Sequence, residues 1–394
     1  MHMYNVNYLL GEKNIKKKIF EPYDPLICKF INDISNYLFN QNKNLKFPEV
    51  VAFAYWCRKS NLDNLKKNFI NNKFRIGRGL IFHVAPSNVP VNFAYSFIFG
   101  LLSGNSNIIK LSSKKNEVSN IILNCFRKLF LLKKYKLIKD SNLFISYSPN
   151  DEITKHYSLM SNCRLIWGGD KTIKNLKKIV TSPRCFDITF SDRYSFSLIN
   201  LNFSNDNQLQ TLANNFFNDS YVMNQNACSS PHLIVWMGNI KKNRSQVNKF
   251  WLYLKKIVSK KYVLDNKFAI SKYLKQCEVS MSLKKIKKFH NYENLIFRTE
   301  LLKLNEKIEN VRGVNGSFYE FYSKDMNFLK KIVNEKFQTL SYFGLEKDNI
   351  LLSIKDNNIR GIDRIVPIGN ALNISLDWDG FDIITSLSRV IDVR

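Results

Sequence analysis

Cys228 is the residue whose type and setting best suit covalent chemistry. It follows a polar segment (224–226) and precedes Ser229-Ser230-Pro231, so it lies in a loop between a predicted helix and a predicted strand. A thiolate attacks acyl groups readily, and nearby positive charge lowers the pKa of a cysteine from about 8.5. Position alone favours a buried structural cysteine, which is also the prediction for Cys125 and Cys163. The chemical interpretation of Cys228 therefore needs further support.

The turn Gly168-Gly169 is a second candidate, because it lies between a predicted strand and a predicted helix. Two glycines let the backbone approach a ligand, and a helix N-terminus offers free N–H groups to a phosphate. The simpler alternative is an ordinary helix start capped by Asp170. Gly77-x-Gly79 is not a dinucleotide fingerprint, because it precedes a strand and lacks the third glycine.

Composition limits the classes of protein that this chain can be. Apolar residues make up 45% of the 394 residues, enough for a sizeable core, and no uninterrupted run of 18 apolar residues predicts a membrane span. The five histidines are scattered, so we expect no metal site. Seven cysteines without a C-x-x-C pair, and no signal peptide, predict free thiols in a reducing, cytoplasmic setting.

The formal net charge of +28 has two interpretations. A phosphate- or carboxylate-bearing partner is one. The other, which we favour, is a general enrichment in lysine, because the lysines form only short, separated runs that are typical of solvated helix faces. A diffuse positive field still attracts an anionic substrate carrier. We expect no nucleic-acid partner; steeply salt-dependent binding to nucleic acid would contradict that.

The apolar pattern predicts alternating strands and helices. Strands are predicted at 79–85, 106–111, 143–147, 164–167 and 185–190, with helices at 89–103 and 118–132. A second unit is predicted from a strand at 196–201, a helix at 207–217, a strand at 233–236 and a helix at 241–258. This alternation is typical of an α/β fold with two doubly wound parallel-sheet units. In such sheets ligands bind at the carboxyl ends of the strands.

Several motifs in order resemble the acyl-CoA reductase (LuxC-type) family, a branch of the aldehyde dehydrogenase superfamily. The resemblance runs from about Gly77 to the C-terminus. The motifs are HVAPSNVPVNFAYSFIFGLLSGNSNIIKL, IWGGDKTI, NQNACSSPHLIVW, FQTLSYFG and RIVPIGNAL with WDGFDIITSLSRV.

The resemblance implies an acyl-thioester reductase that makes an aldehyde with NADPH, although NADH is not excluded. Cys228 matches the family's nucleophile, which takes the acyl group from CoA, a carrier protein or an acyl-transferase. Asn88 matches the asparagine whose amide forms the oxyanion hole with the backbone N–H of the nucleophile. Such a donor contributes roughly 3 to 4 kcal/mol in comparable sites.

The same resemblance assigns the cofactor-binding residues. Lys110 is expected at the adenosine ribose, Gly168 and Gly169 at the pyrophosphate, and Pro86 and Ser87 in the loop after the first strand. Glu335 and Phe337 are expected to flank the nicotinamide ribose, although Gln338-Thr339 replaces the usual Gly-Pro there. The superfamily also implies a homo-oligomer.

One departure concerns the base that activates water in hydrolytic aldehyde dehydrogenases. The chain has Phe190-Ser191-Asp192-Arg193 where those enzymes have a glutamate. Water is then poorly activated, which favours acyl exchange and reduction. A CoA-acylating dehydrogenase for short or polar acyl groups is the alternative activity. His232 is a weaker candidate base, and the corner 378–380 is expected to serve packing.

We therefore predict an aldehyde-dehydrogenase-like fold in four segments. Residues 1–76 form a helical N-terminal region, and 77–194 form the cofactor-binding unit. Residues 195–362 form the catalytic unit that carries Cys228. Residues 363–394 pack back on the protein or mediate oligomerisation.

Overall fold

The computed structural model describes residues 6–69, 73–114, 116–202, 204–283 and 285–394. The chain divides into two compact units. The first contains Met1–Ser191 and Phe381–Arg394, and the second contains Asp192–Gly380. Residues 363–380, which the sequence pattern grouped with the C-terminal segment, thus belong to the second unit. Within the described residues, no helix is both long enough and apolar enough to cross a membrane.

The first unit contains a strand, three N-terminal helices and an alternating α/β region. Its elements up to residue 191 are β1 (Asn7–Gly11), α1 (Pro25–Phe39), α2 (Pro48–Trp56), α3 (Lys59–Asn68), β2 (Arg75–Gly77), β3 (Leu80–Val84), α4 (Asn92–Leu102), β4 (Ser106–Leu111), α5 (Glu117–Phe130), α6 (Lys136–Asp140), β5 (Asn142–Ser146), α7 (Asp151–Met160), β6 (Cys163–Trp167), α8 (Asp170–Lys177) and β7 (Phe186–Phe190).

Six of these strands form one sheet in the order β1-β5-β4-β3-β6-β7. All neighbouring strands are parallel except β1, which pairs antiparallel with β5 at the edge. The chain runs outward from β3 through β4 to β5 and then returns to the other side of β3 for β6 and β7. Because parallel crossovers are right-handed, this reversal places helices on both faces of the sheet. The predicted doubly wound architecture is confirmed.

Helix starts follow local sequence signals. Asp24 accepts a hydrogen bond from the Leu26 backbone N–H at 2.8 Å and begins α1, which has Pro25 in its first turn. Asn116 accepts a bond from the Val118 N–H at 2.9 Å and begins α5. The predicted helical N-terminal region also contributes β1, a five-residue strand too short to show a clear period in the sequence.

A chain of buried hydrogen bonds joins four strands of this sheet. The Trp167 indole donates to Ser96 Oγ at 3.0 Å, and Ser96 Oγ lies 2.8 Å from His83 Nδ1. Because Asn107 Oδ1 only accepts, the neutral His83 ring has its proton on Nε2, and its Nδ1 accepts a hydrogen bond from the Ser96 hydroxyl. His83 Nε2 then donates to Asn107 Oδ1 at 2.9 Å, and Asn107 donates to Asn142 Oδ1 at 2.8 Å. Burial lowers the pKa of His83 to about 4, which keeps the ring neutral.

Gly100 lets α4 approach this chain. A Cβ at position 100 would lie 1.9 Å from Asn107 Oδ1 and 3.1 Å from His83 Nε2. No side chain fits at that distance, so the glycine is required by the close contact between helix and strand.

We predict that Gly100→Ala destabilises the first unit by about 2 kcal/mol or more, because a methyl group is forced against a buried hydrogen bond. Thermal unfolding of the variant measures the loss. In an Asn107→Ala background the same glycine substitution should cost less, since the atom that the methyl group meets is gone. An equal cost in both backgrounds would contradict this account of Gly100.

The second unit has the same alternating plan. Its elements are β8 (Tyr194–Asn200), α9 (Asp206–Tyr221), β9 (Pro231–Met237), α10 (Ile240–Lys261), α11 (Asn266–Ser282), β10 (Ile286–Tyr292), β11 (Ile296–Leu301), β12 (Ser317–Ser323), α12 (Leu329–Ile332), β13 (Phe337–Phe343), α13 (Lys347–Asp356), β14 (Arg364–Pro367) and β15 (Asp377–Trp378).

Seven strands form its sheet in the order β10-β11-β12-β9-β8-β13-β14. Only β10 is antiparallel to its neighbour. The face under α9 and α10 is filled by aromatic residues such as Phe216, Phe250 and Trp251. The opposite face packs Leu329 of α12 and Ile350 of α13. Weak sequence signals left 259–330 unassigned, because β10 to β12 alternate charged and aromatic residues.

The C-terminal segment completes the first unit. It contains β16 (Phe381–Asp382), α14 (Ile383–Leu387) and β17 (Ser388–Val390). Strand β17 pairs antiparallel with β2, and the Asn105 side chain donates to the Leu387 carbonyl at 2.9 Å.

Candidate active site

Cys228 lies at the amino edge of the second unit's sheet. It precedes β9 by three residues, and the parallel strands β8, β9 and β13 all begin at this edge. Cys228 therefore lies at the edge of the sheet opposite to the one at which ligands of parallel sheets usually bind. Cys228 is partly exposed in its loop.

The end of α9 determines the path of the Cys228 loop. Asn224 and Gln225 both have a positive φ, 50° and 62°, and turn the chain away from the helix axis. The Gln225 amide is buried and fully bonded. It donates to the carbonyls of Pro231 and Ser317 at 3.0 Å each, and it accepts from the N–H groups of Gly316 and Ser317. This side chain fixes the loop to the start of β12.

Two further bonds hold the loop on either side of the thiol. Ser195 Oγ donates to the Cys228 carbonyl at 2.7 Å and accepts from the Thr339 N–H at 3.1 Å. Ser230 Oγ donates to the Asp219 carbonyl at 2.8 Å. The Asp219 carboxylate in turn accepts bonds from the backbone N–H groups of Gly369 and Ala371. Burial raises the pKa of Asp219 to about 7.

Polar side chains from β13, β14 and the corner 378–380 form a hydrogen-bonded group, and their charges act on the pKa of the Cys228 thiol. The buried Gln338 amide donates to Asp379 Oδ1, and the Thr339 hydroxyl donates to Gln338 Oε1 at 3.3 Å. The Arg364 guanidinium donates to Thr339 Oγ1 at 3.3 Å and to the Ala371 carbonyl at 3.0 Å. Its planar group also lies 4.3 Å from the Trp378 ring centroid.

Burial raises the pKa of the Cys228 thiol to about 11, and the Asp379 carboxylate raises it further because it repels the thiolate. A hydrogen bond from the Gln338 side chain and the positive charges of Arg364 and Arg312 act in the opposite direction. The resting thiol is thus protonated at neutral pH, although its surroundings contain groups that stabilise the charged form.

His232 is unsuited to act as a base at neutral pH. It lies inside β9, stacks against Tyr194 at 5.3 Å between ring centroids, and is buried. Burial and the charge of Arg312 lower its pKa to about 3, so the ring stays neutral. Its Nδ1 atom has no hydrogen-bond partner among the described residues.

In the first unit, the loop after β3 carries three of the predicted residues. Pro86 and Ser87 line a cavity of about 730 Å³, and Asn88 is exposed at the loop tip. The cavity lies at the carboxyl ends of β3, β4 and β5. Its other lining residues are Val6, Asn7, Tyr8, Leu9, Lys13, Ala85, Pro90, Phe93, Leu111, Ser112, Ser113, Lys114, Asn116, Ser119, Asn120, Leu123 and Ser146. Asn88 and Cys228 lie in different units, so the oxyanion hole they would share stays a prediction.

Lys110 and the glycine pair lie on neighbouring parts of the same sheet. Lys110 is in β4, with Nζ 4.9 Å from the Tyr147 ring centroid, and burial lowers its pKa. Gly168 and Gly169 join β6 to α8, and Gly169 is the N-cap residue. The helix begins at Asp170 without a side-chain cap at its N-terminus. Asp170 thus lies in the first turn of the helix and not at the N-cap position.

Glu335 and Phe337 lie apart from the thiol. Glu335 is exposed and lines a second cavity of about 660 Å³, which Cys228 does not line. Phe337 is fully buried and packs edge-on against Tyr194 and Phe196 at centroid distances of 5.1 and 5.6 Å. A ring in the core offers no surface to a cofactor, so the position of Phe337 gives no support to its predicted role at the nicotinamide.

Sequence reasoning missed the contribution of Gln338 and Asp379. The adjacent polar residues Gln338 and Thr339 stand in a strand that is buried over its first five residues, which is a signal that their side chains have polar partners. Asp379 was expected to serve packing, whereas the structure places its carboxylate beside Gln338.

The family model for acyl-CoA reductase (LuxC) matches residues 28–390. The chain belongs to this acyl-CoA reductase (LuxC) family. The resemblance seen in the motifs is thus confirmed, and the match extends upstream of Gly77 into the N-terminal helices. The matched range includes both Cys228 and Asn88 but does not itself test their roles.

Similar proteins agree with this assignment. A long-chain acyl-protein thioester reductase of Aliivibrio fischeri is 26% identical over 166 residues, which are 41% of this chain and 33% of that relative. The alignment thus spans about a third of the relative's length. Among solved structures, this chain is similar to aldehyde dehydrogenase 21 of Physcomitrella patens, with a TM-score of 0.67 and 12% identity. The match covers 94% of this chain and 86% of that one.

A third similar structure is the NAD-dependent benzaldehyde dehydrogenase of Corynebacterium glutamicum, with a TM-score of 0.61 and 12% identity over 92% of this chain and 83% of that one. At this identity the two structures show the fold alone. The predicted aldehyde-dehydrogenase-like fold is confirmed.

We predict that Ser195→Ala loosens the Cys228 loop, because the Cys228 carbonyl and the Thr339 N–H each lose a partner. Leaving such buried groups unpaired costs about 1–3 kcal/mol. Hydrogen exchange of a peptide covering 226–230 should become faster. Ser197→Ala is the matched control, since Ser197 lies on the same strand and bonds Ser341 at 2.7 Å without touching the loop. Equal exchange in both variants would contradict the anchoring role of Ser195.

Proposed function

We propose that this protein reduces a fatty acyl thioester to an aldehyde with NADPH, through a covalent thioester at Cys228. Two features support the proposal: membership of the acyl-CoA reductase family, and a cysteine in a loop whose path is fixed by hydrogen bonds of Ser195 and Gln225. Family membership is the observation that carries it.

The chain's own residues account for acyl transfer. The Cys228 sulfur attacks the carbonyl carbon of the donor thioester and forms a new C–S bond. The bond to CoA or to the carrier thiol breaks, and the proton of Cys228 leaves with that thiol. Asn88 and the Cys228 backbone N–H are expected to donate hydrogen bonds to the acyl oxygen, where negative charge develops. When bound, the reduced nicotinamide supplies a hydride to the acyl carbon.

The position of the missing glutamate supports reduction over hydrolysis. Asp192 is exposed, and Arg193 pairs with Asp363 and donates to the Phe337 carbonyl at 2.8 Å. A carboxylate engaged in that ion pair is a poor base for water. The acyl group on Cys228 therefore persists until it is reduced or returned to a thiol.

The cavity at the carboxyl ends of β3, β4 and β5 fits a phosphorylated cofactor. Among the described residues that line it, Lys13 and Lys114 are charged and none is a carboxylate. Nicotinamide cofactors that carry only a ribose hydroxyl at the 2′ position are usually recognised by an acidic residue near the second strand. Here Ser112, Ser113 and Lys114 follow that strand, which favours a 2′-phosphate and hence NADPH.

The length of the acyl chain has no clear marker in the first unit. The aromatic residues of α4 pack into the core and line no acyl tunnel: Phe93, Tyr95, Phe97 and Phe99 are each at most 7% exposed. The long-chain donor is inferred from the family and from the relative that reduces a long-chain acyl-protein thioester. A series of donors separates this activity from the short-chain alternative.

We predict that incubation with acyl-CoAs of increasing length adds the mass of one acyl group to the protein, because Cys228 forms a thioester. Intact-protein mass spectrometry measures the adduct, and NADPH should remove it with release of aldehyde. Cys228→Ala should show no adduct, whereas Cys277→Ala, which removes an exposed cysteine, should react normally.

Two outcomes would redirect the proposal. A preference for short chains favours the CoA-acylating alternative. If no CoA ester reacts, the same assay with acyl carrier protein shows whether the donor is a protein. Failure with both donors would refute the acyl-reductase function.

We predict that Lys114→Ala raises the KM for NADPH about tenfold, because a charge-assisted bond to phosphate contributes about 1.5–3 kcal/mol. The KM for NADH should stay unchanged, since NADH has no 2′-phosphate. Steady-state kinetics with each cofactor measures the difference. Lys128→Ala removes another exposed lysine of the same unit, outside the cavity, and should change neither value. Equal effects on both cofactors would contradict the assignment of Lys114.

A further inference from the structure

Helix α11 carries apolar residues on two opposite faces. One face is buried against the sheet, where Val279 packs in the core and the Gln276 amide donates to Thr299 Oγ1 at 3.1 Å. The other face is exposed and consists of five residues, which we call the α11 stripe: Ile270, Tyr273, Leu274, Cys277 and Met281. At 3.6 residues per turn these positions fall within about 100° of the helix circumference. A surface helix normally has polar residues on that side.

The α11 stripe is large for an exposed apolar surface. Its four largest side chains are each between 62 and 82% exposed. Together they present on the order of 500 Å² to solvent, and a contiguous apolar patch of that size marks an interaction site. Covered by an equal area of a partner, it gives an interface of about 1,000 Å² in total, which is typical of transient complexes.

The shape of the stripe indicates a helix as its occupant. The positions follow the spacing i, i+3, i+4, i+7 and i+11, which is the narrow seam along which one helix packs on another. From Ile270 to Met281 the seam is about 16 Å long, or three turns. Helices that lie in a membrane surface insert a broader apolar face. A single helix of a partner protein therefore fits the stripe better than a lipid surface does.

The segment that contains the stripe is strongly basic. Residues 260–288 contain nine lysines and only two acidic residues, Asp265 and Glu278. Glu278 is neutralised by Lys275, whose Nζ lies 2.9 Å from its carboxylate. Two copies of this chain, each with a net charge of +28, repel one another. An acidic partner is instead complementary to this surface and is attracted to it.

The stripe begins at the edge of the sheet at which Cys228 lies. The Tyr262 hydroxyl, four residues before α11, donates at 2.7 Å to Asn224 Oδ1, and Asn224 precedes Cys228 by four residues. In the first turns of α11, the Lys272 ammonium donates to the carbonyls of residues 294 and 295 at 2.9 Å each. Those two residues join β10 to β11 at the same amino edge. The start of α11 and the thiol loop are thus fixed to one region of the second unit.

We propose that the α11 stripe docks an acidic helix of the protein that delivers the acyl group to Cys228. Delivery of the acyl group rests on the proposed function, whereas the binding of an acidic helix does not. The lysines attract the carrier, the seam orients its helix, and the position at the amino edge brings its thioester toward the thiol. Because the seam is small, the carrier is released after transfer.

The first test measures binding of acyl carrier protein, an acidic helical protein, to the full-length chain by fluorescence anisotropy. Leu274→Glu should weaken binding about tenfold or more, because it replaces an apolar contact with a charge that repels the carrier. Leu252→Glu is the matched control and should bind normally, since Leu252 is 49% exposed on α10, at the other face of the sheet. No binding by the wild type, or equal binding by Leu274→Glu, would overturn the proposal.

The sign of the effect of Glu278→Gln separates an acidic partner from a second copy. The substitution removes the negative charge beside the stripe and releases Lys275, so the carrier should bind about threefold more tightly. Weaker binding of the carrier would overturn the acidic character of the partner. Sedimentation velocity measures self-association of the same variants. Self-association that Leu274→Glu abolishes would overturn the proposal in favour of an interface between copies.

Cys277 reports whether the stripe is covered. Saturating acyl carrier protein should slow alkylation of Cys277 by iodoacetamide about tenfold, because docking shields the thiol from the reagent. Half-buried Cys185 of the first unit, read in the same digest, should be unaffected. Phosphatidylglycerol vesicles are the comparison ligand. Protection of Cys277 by the vesicles but not by the carrier would overturn the proposal in favour of a lipid surface.

Acyl transfer separates docking from the proposed function. If neither acyl-CoA nor acyl carrier protein labels Cys228, the proposed function fails, while anisotropy and alkylation of Cys277 still decide whether the stripe binds the carrier. If both label it, Leu274→Glu should lower kcat/KM for acyl carrier protein about tenfold relative to acyl-CoA, which has no helix to dock. An unchanged ratio would overturn the role of the stripe in acyl delivery.

Discussion

The arrangement of the site depends on the bond between Ser195 Oγ and the Cys228 carbonyl. Through it, the loop is tied to β8, an interior strand of a seven-stranded sheet. Ser195 also accepts the Thr339 N–H, so the position of the thiol is coupled to the start of β13. Gln338, Thr339 and Cys228 are therefore held in register by backbone as well as side-chain bonds.

The surroundings of the Cys228 thiol make its ionisation unfavourable. A thiol with a pKa of about 11 is ionised in only about one molecule in ten thousand at pH 7. Burial of the thiol group is the main cause of that value. Gln338, Arg364 and Arg312 act in the opposite direction and lower the pKa of the thiol. The proposed thioester at Cys228 is better protected from water when the sulfur is buried, whereas the thiolate forms more readily when the sulfur is exposed. The same loop has to serve both requirements.

The sequence was sufficient for the fold and for part of the site. Alternating strands and helices predicted the doubly wound sheets, and Pro86 and Ser87 line a cavity where ligands of such sheets bind. The assignment of β13 was less complete because adjacent residues of a strand face opposite sides. Phe337 faces the core with Tyr194, while Gln338 donates to Asp379, and motif resemblance alone did not fix that parity.

The contact of Asp379 with Gln338 also could not be predicted from the sequence. It is separated from Cys228 by about 150 residues, and no local pattern connects the two positions. Its contact with Gln338 follows from the way the chain returns from β14 to the amino edge of the sheet. Long-range returns of this kind depend on tertiary packing, which periodicity and spacing do not encode.

Each unit contains a directional chain of buried hydrogen bonds, and the two chains end differently. In the first, Trp167, Ser96, His83 and Asn107 pass their bonds to Asn142, which donates to the Ile138 carbonyl at 2.6 Å. Every member is satisfied, and the last acceptor is backbone, so the chain stabilises the sheet. In the second, Arg364, Thr339 and Gln338 lead to the carboxylate of Asp379, which is an ionisable group. A polarised chain that ends on such a group stabilises its charged form more than its neutral form, and the charge of Asp379 in turn raises the pKa of the Cys228 thiol.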